Sequence, residues 1–126
     1  MKQFFSALIV GTGLIAAQAY AACDYPTAPG KFPDGTQASK EEMLAAKASV
    51  VKYNADMDAY LVCIKAEFDA KVGALTSATP AQKAEMERVQ DQKQTAAVEE
   101  VTAVTERFNE QLRAWKAKAA AEKKPS

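Results

Sequence analysis

The chain has 126 residues, with 16 basic and 16 acidic side chains and no histidine. Because the charges balance, no basic excess is left to bind phosphates, which argues against nucleic acid as a partner. Without histidine the chain lacks the commonest general base and the commonest zinc or copper ligand, so the composition predicts no enzyme, metal site or cofactor. Alanine is frequent and glycine is rare, a composition that favours long helices.

Residues 1–21 have the pattern of a cleavable secretory signal. Lys2 supplies the positive start, residues 4–17 carry no charge, and Ala19-Tyr20-Ala21 is a small-x-small cleavage site. The apolar run is shorter than the ~20 residues of a membrane-spanning helix, and Tyr20 stands where a lipoprotein signal has an aliphatic residue. We therefore expect cleavage after Ala21, no membrane span in the mature form, and a periplasmic or secreted protein.

Residues 22–38 are predicted to form an extended arm. Its prolines favour polyproline II geometry, and a turn is expected at Pro33-Asp34-Gly35-Thr36. The chain has two cysteines, Cys23 in this arm and Cys63 further on. In an oxidising compartment such a pair is most simply a disulfide. The extended arm is long enough to fold back along the helix that follows, so the disulfide would fasten it there.

The first helix is predicted over about residues 40–72. Ser39 and Glu42 have the spacing of a capping box, and Gly73 is placed to end the helix. Helical periodicity gathers one apolar stripe on this helix: Met43, Val50, Met57, Leu61, Ile64, Phe68 and Val72. Cys63 projects from roughly the opposite side. We therefore expect the stripe to meet a second helix and the alanine-rich back to accept the arm.

The second helix is predicted over about residues 80–120, where Thr79 and Gln82 form another capping box and Pro80 takes the first helical position. Its stripe is Met86, Ala97, Val101, Val104, Phe108, Leu112 and Trp115. Gln90, Lys93 and Gln94 interrupt the first half of that stripe, and we expect Gln90 to Gln94 to fray or to face solvent. Residues 122–126 are predicted to be a disordered tail.

The short connection between the helices predicts that they are neighbours in space. The predicted fold is therefore all-α: a long antiparallel helical hairpin over residues 39–121, of coiled-coil type, with the proline-rich N-terminal arm stapled to helix one by the disulfide between Cys23 and Cys63. A hairpin with one arm has a thin core. The predicted partners are accordingly another protein or a second copy, as in a homodimer.

Four aromatic side chains make the candidate contact face: Tyr53, Tyr60, Phe108 and Trp115. The two tyrosines lie between the stripe and the back of the first helix, within reach of the arm prolines. Catalytic residues are not assigned, because the carboxylates of Asp56 and Asp58 diverge on a helix and no nucleophile has a partner base at a suitable spacing.

Six segments stand out along the mature chain: Cys23-Asp24-Tyr25-Pro26, Pro33-Asp34-Gly35, Glu42-Met43-Leu44-Ala45-Ala46, Val51-Lys52-Tyr53, Tyr60-Leu61-Val62-Cys63 and the run from Arg107 to Lys116. Together they resemble a group of uncharacterised small secreted (periplasmic) proteins of Gram-negative bacteria. The resemblance implies export and the cysteine pair, and it implies no particular activity.

One further segment, Thr79-Pro80-Ala81-Gln82-Lys83, is similar to the Leu-Thr-x-x-Gln element of periplasmic stress chaperones of the Spy and CpxP type. Ala78 replaces the leucine, one element is present where those proteins usually carry two, and a capping box accounts for the same residues. The predicted function is an exported, non-enzymatic helical binding or structural module of the cell envelope. The alternative is a periplasmic chaperone or stress-response protein.

Overall fold

The computed structural model describes residues 22–124. This part of the chain contains two helices, α1 over Lys40–Ala74 and α2 over Pro80–Glu122, and no strand. The helices pack against each other, which confirms the predicted all-α class. The predicted signal and the last two residues of the predicted tail lie outside the described residues.

Both helices begin at the capping boxes expected from the sequence. The Ser39 hydroxyl accepts a hydrogen bond from the Glu42 N–H at 3.2 Å, and the Glu42 carboxylate accepts one from the Ser39 N–H at 2.7 Å. Thr79 and Gln82 repeat the exchange at 3.3 and 2.9 Å. Each box satisfies N–H groups that a helix start leaves without partners, so four residues determine each start locally.

The helix ends differ from the prediction. α1 continues through Gly73 to Ala74, and the Leu75 N–H donates to the Val72 carbonyl oxygen at 3.2 Å. Gly73 does not adopt a positive φ, so the expected glycine cap is wrong and a tight last turn ends the helix. α2 reaches Glu122, the first residue of the predicted tail, because the alanines before it are strong helix formers.

The core lies where the two helices meet the segment that precedes them. Its buried members are Ala38, Met43, Ala46, Val50, Tyr53, Met57, Ala97, Val104 and Phe108. Each large side chain among them stabilises the fold by about 1.5–3 kcal/mol through removal from water. Of the remaining predicted stripe residues on α1, Ile64 is buried, whereas Leu61, Phe68 and Val72 are half-buried.

Gln90 is buried, which contradicts the prediction from the sequence. The expectation was fraying or solvent exposure near Gln90 and Gln94, but α2 is continuous there and Gln90 is only 9% exposed. Helical periodicity places Gln90 beside Ile64 on the face that meets α1, whatever its polarity. Its side-chain nitrogen is buried without a hydrogen-bond partner among residues 22–124. Such a group costs about 1–3 kcal/mol.

Candidate functional site

The disulfide joins Cys23 to Cys63, with the two Cα atoms 5.8 Å apart, a separation typical of such bonds. This confirms the predicted cysteine pairing. Cys63 lies two-thirds of the way along α1, so the bond fixes the first described residues of the chain to the side of that helix. The described residues that precede α1, residues 22–39, are called here the N-terminal segment.

Tyr25 connects the N-terminal segment to both helices. Its ring meets the ring of Tyr60 on α1 edge to face, with 4.9 Å between the ring centres. Its hydroxyl donates a hydrogen bond of 2.6 Å to the Glu100 carboxylate on α2. A residue two positions from the disulfide therefore holds three parts of the chain together.

Tyr25, Tyr53 and Glu100 form a polar cluster next to this contact. Tyr25 is 43% exposed, and the partial burial of its side chain, followed by the hydrogen bond to Glu100, raises the pKa of its hydroxyl. Burial, followed by the negative charge of Glu100, also raises the pKa of Tyr53, while Arg107 acts in the opposite direction. The Tyr53 hydroxyl is buried and finds no hydrogen-bond partner in the described part of the chain. Both hydroxyls stay protonated at neutral pH and can donate hydrogen bonds but cannot act as bases.

A second contact of the N-terminal segment lies over the far end of α2. Phe32 packs against Phe108 edge to face at 5.7 Å between ring centres. The Gly35 N–H donates to the side-chain oxygen of Gln111 at 2.9 Å. A Cβ atom on Gly35 would lie 2.0 Å from the backbone oxygen of Gln111 and 2.9 Å from the backbone nitrogen of Trp115. Only glycine allows this approach.

The turn that carries Gly35 begins one residue later than predicted. The Asp34 carboxylate accepts hydrogen bonds from the Thr36 N–H at 2.9 Å and from its hydroxyl at 2.8 Å. The Asp34 carbonyl oxygen accepts the N–H groups of Gln37 and Ala38. The turn is therefore Asp34 to Gln37, and the two hydrogen bonds from Thr36 lower the pKa of Asp34.

The structure places two of the four aromatic residues of the candidate contact face in the core and two at its edge. Tyr53 and Phe108 are 2% and 6% exposed, and both belong to the core. Tyr60 and Trp115 are half-buried against that core, beside Tyr25 and Gly35 respectively. In this structure these side chains contact the helices and the N-terminal segment, and their contact with another protein stays a prediction.

Sequence reasoning missed a set of apolar side chains on the outer surface of α1. Leu44, Val51 and Val62 are 55%, 59% and 71% exposed. At about 100° per residue, spacings of seven and eighteen residues bring all three onto nearly one line along the helix. We call this line the outer row. The spacing is visible in the sequence, but the longer stripe of larger side chains on the other face concealed it.

Two properties of the described residues bear on ligands and membranes. Within residues 22–124 no group of three or more cysteine, aspartate or glutamate side chains is placed to hold a metal ion. Neither α1 nor α2 contains a stretch both long and apolar enough to cross a bilayer.

No family model, no curated protein and no solved structure matches this chain.

Proposed function

We propose that the protein is an exported, non-enzymatic helical module of the cell envelope that binds a protein through the outer row of α1. The observation that carries this proposal is the outer row itself. Single exposed apolar residues are ordinary, whereas an aligned set on one helix is typical of a surface that meets another protein. Leu44, Val51 and Val62 form such a set, and each is more than half exposed.

The proposed site of action is the periplasm or the medium. The disulfide between Cys23 and Cys63 supports it, because such bonds persist in oxidising compartments and are rare in the cytosol. The signal pattern of residues 1–21 agrees with the same location.

The proposed architecture is an antiparallel hairpin with the N-terminal segment as an arm. Phe68 and Lys71, near the end of α1, line the same groove as Glu85 and Met86, near the start of α2. That pairing supports opposite helix directions. The contacts of Phe32 with Phe108 and of Gly35 with Gln111 support an arm that lies against α2 as well as α1.

A structural rather than catalytic role for the tyrosine cluster has a direct physical support. A catalytic acid or base works best with a pKa near the working pH. Burial and Glu100 move the pKa values of Tyr25 and Tyr53 upward, away from neutrality. The cluster therefore serves to hold the N-terminal segment, α1 and α2 together.

In-cell photo-crosslinking tests the proposed binding surface. A photo-crosslinking amino acid placed at Val51 should yield protein adducts in cells that produce the chain. The same residue at Val98 is a matched control, since Val98 is also a valine, is 55% exposed and lies on α2. Adducts at position 51 well above those at position 98 are expected. Equal yields, or none at position 51, would contradict the proposal.

The alternative, a chaperone that shields unfolded clients, is favoured by one specific feature. An open groove between the end of α1 and the start of α2 is lined by Ile64, Phe68, Met86 and Val89, with charged side chains around it. A partly apolar groove with a charged border suits weak contact with many sequences. An aggregation assay with an unfolded client decides this, and no suppression at a several-fold molar excess would rule the chaperone function out.

A further inference from the structure

We infer that the partner of the outer row is a second copy of this chain, with the two α1 helices packed antiparallel about a two-fold axis near Val51 and Ala55. This inference rests on the proposed function, because it names the partner of the same surface. It follows from the spacing of the apolar residues and from the charges beside them.

The outer row has the length and the shape of a helix-packing surface. Leu44 and Val62 are eighteen residues apart, which is about 27 Å along a helix. Ala48 and Ala55 lie on nearly the same line, and both are exposed. Because alanine is small, it allows two helices to approach closely, with the larger side chains filling the space on either side.

The outer row is complementary to itself when the second helix runs in the opposite direction. Leu44 of one copy then lies opposite Val62 of the other, and Val51 lies opposite Ala55. The two-fold axis makes each of these contacts twice, as in an isologous interface. Leu44 and Val62 therefore meet at each end of the row and Val51 meets Ala55 at its centre, while Ala48 lies opposite Asp58.

The charges beside the outer row favour the same arrangement. Lys47 and Asp58 are exposed on the same side of the row, and neither forms a salt bridge among residues 22–124. In the antiparallel register, Lys47 of one copy comes beside Asp58 of the other, and the pair occurs twice. In a parallel two-fold pair the two copies of a flanking residue lie on opposite sides of the interface, so Lys47 and Asp58, which share one side, would not meet. Charge pairs of this kind mainly select partner and register.

Two further lysines near the row, Lys65 and Lys52, are compensated within the chain. Lys65, which comes near Lys40 of the second copy, already pairs with Asp69 at 2.6 Å. Lys52 is likewise paired, with Asp56. Since the mature chain has 15 basic and 16 acidic side chains once Lys2 is removed, no long-range repulsion opposes the approach of two copies.

A single helix pair makes a small interface, so we expect a reversible dimer with a dissociation constant on the order of 10 μM. Sedimentation of the purified, disulfide-bonded protein over a wide concentration range measures it. Val51→Glu places two like charges near the two-fold axis and should weaken the dimer roughly tenfold or more. Val98→Glu makes the same change at similar exposure on α2 and should leave the dimer unchanged.

The antiparallel register is tested separately, by reversing the charges beside the outer row. Lys47→Glu and Asp58→Lys should each weaken the dimer by a few-fold, and the double variant should recover the original affinity because both pairs are rebuilt with reversed charge. Circular dichroism of every variant should show unchanged helix content. A double variant that is weaker than either single variant would overturn the antiparallel register.

The remaining outcomes separate this inference from the proposed function. A chain that sediments as a monomer at every concentration, or a dimer that Val51→Glu does not weaken, overturns the inference. If position 51 still crosslinks to a different protein in cells, the proposed function stands without it. If position 51 gives no crosslink, the proposed function fails as well.

Discussion

The two halves of the helix pair differ in how they are covered. Around Tyr53 and Phe108 the N-terminal segment lies over the helices, and the core there is closed and anchored by the disulfide. Around Phe68 and Met86 the described residues that line the groove all belong to the two helices, both side chains are half-buried, and the groove stays open. Two helices alone bury one stripe each, so a third element is needed to close a core of this size.

The largest expected effect is a loss of stability that differs between two matched substitutions, one in each half of the helix pair. Phe108→Ala should cost about 4 kcal/mol of unfolding free energy, because it empties a buried site and removes the partner of Phe32. Phe68→Ala, in the open half, should cost about 1–2 kcal/mol, because its side chain is already half-exposed. Urea unfolding at neutral pH measures both. Equal losses would show that the N-terminal segment adds nothing to the packing.

A second pair of substitutions tests how closely the N-terminal segment approaches α2. Gly35→Ala should cost about 2–3 kcal/mol, because its Cβ would collide with the backbone of Gln111 and push the turn away. Gly30→Ala is the control, since nothing lies within 4 Å of a Cβ placed there. It should change the unfolding free energy by less than about 0.5 kcal/mol. A tolerated Gly35→Ala would mean that the turn does not touch α2.

The tyrosine cluster predicts a dependence on alkaline pH. The folded-state pKa of Tyr25 is raised above its unfolded value near 10, so the stability it contributes is complete below about pH 10 and is lost as the pH rises further. Tyr25→Phe should cost about 1 kcal/mol at pH 7, through the lost hydrogen bond to Glu100. The variant should also lose less additional stability than the parent between pH 9 and pH 11. If the unfolding free energies of parent and variant changed with pH in parallel, the contact between Tyr25 and Glu100 would be contradicted.

The smallest expected effect is a gain in stability from a substitution in the open half. Gln90→Leu should stabilise the protein by about 1 kcal/mol, since it replaces a buried amide without a partner among the described residues by an apolar group. Gln94→Leu is the control at a half-buried site and should change little. Thermal unfolding detects both. Destabilisation by Gln90→Leu would indicate that water or another group satisfies the amide.

Local features of the fold could be predicted from the sequence because a few neighbouring residues determine them. Each helix start depends on four residues, and the capping boxes at Ser39 and Thr79 form as predicted. The cysteine pairing was predictable because the chain offers one pair. The periodic apolar stripes likewise identified Met57, Val104 and Phe108 as core residues.

Contacts between distant parts of the chain could not be predicted from neighbouring residues. The hydrogen bond from Tyr25 joins residues 75 positions apart, and the one from Gly35 spans 76. Gly35 was predicted as a turn glycine, whereas its constraint is the nearby backbone of α2. Gln90 was misjudged because its polarity argued for exposure while its position on the helix required burial. The outer row was missed because α1 is apolar on two faces, which weakens the usual contrast between a buried and a solvent-facing side.

Amide hydrogen exchange with and without the disulfide tests most directly whether the N-terminal segment stabilises one half of the molecule. Replacing Cys23 and Cys63 by alanine reopens a loop whose ends are 40 residues apart, which lowers the unfolding free energy by up to about 4 kcal/mol. We predict that the amides near Tyr53 and Val104 lose protection by this amount, because they exchange through global unfolding. Those between Phe68 and Val89, which exchange through local opening, should change much less. An equal loss in both halves, or no loss near Tyr53, would contradict the account.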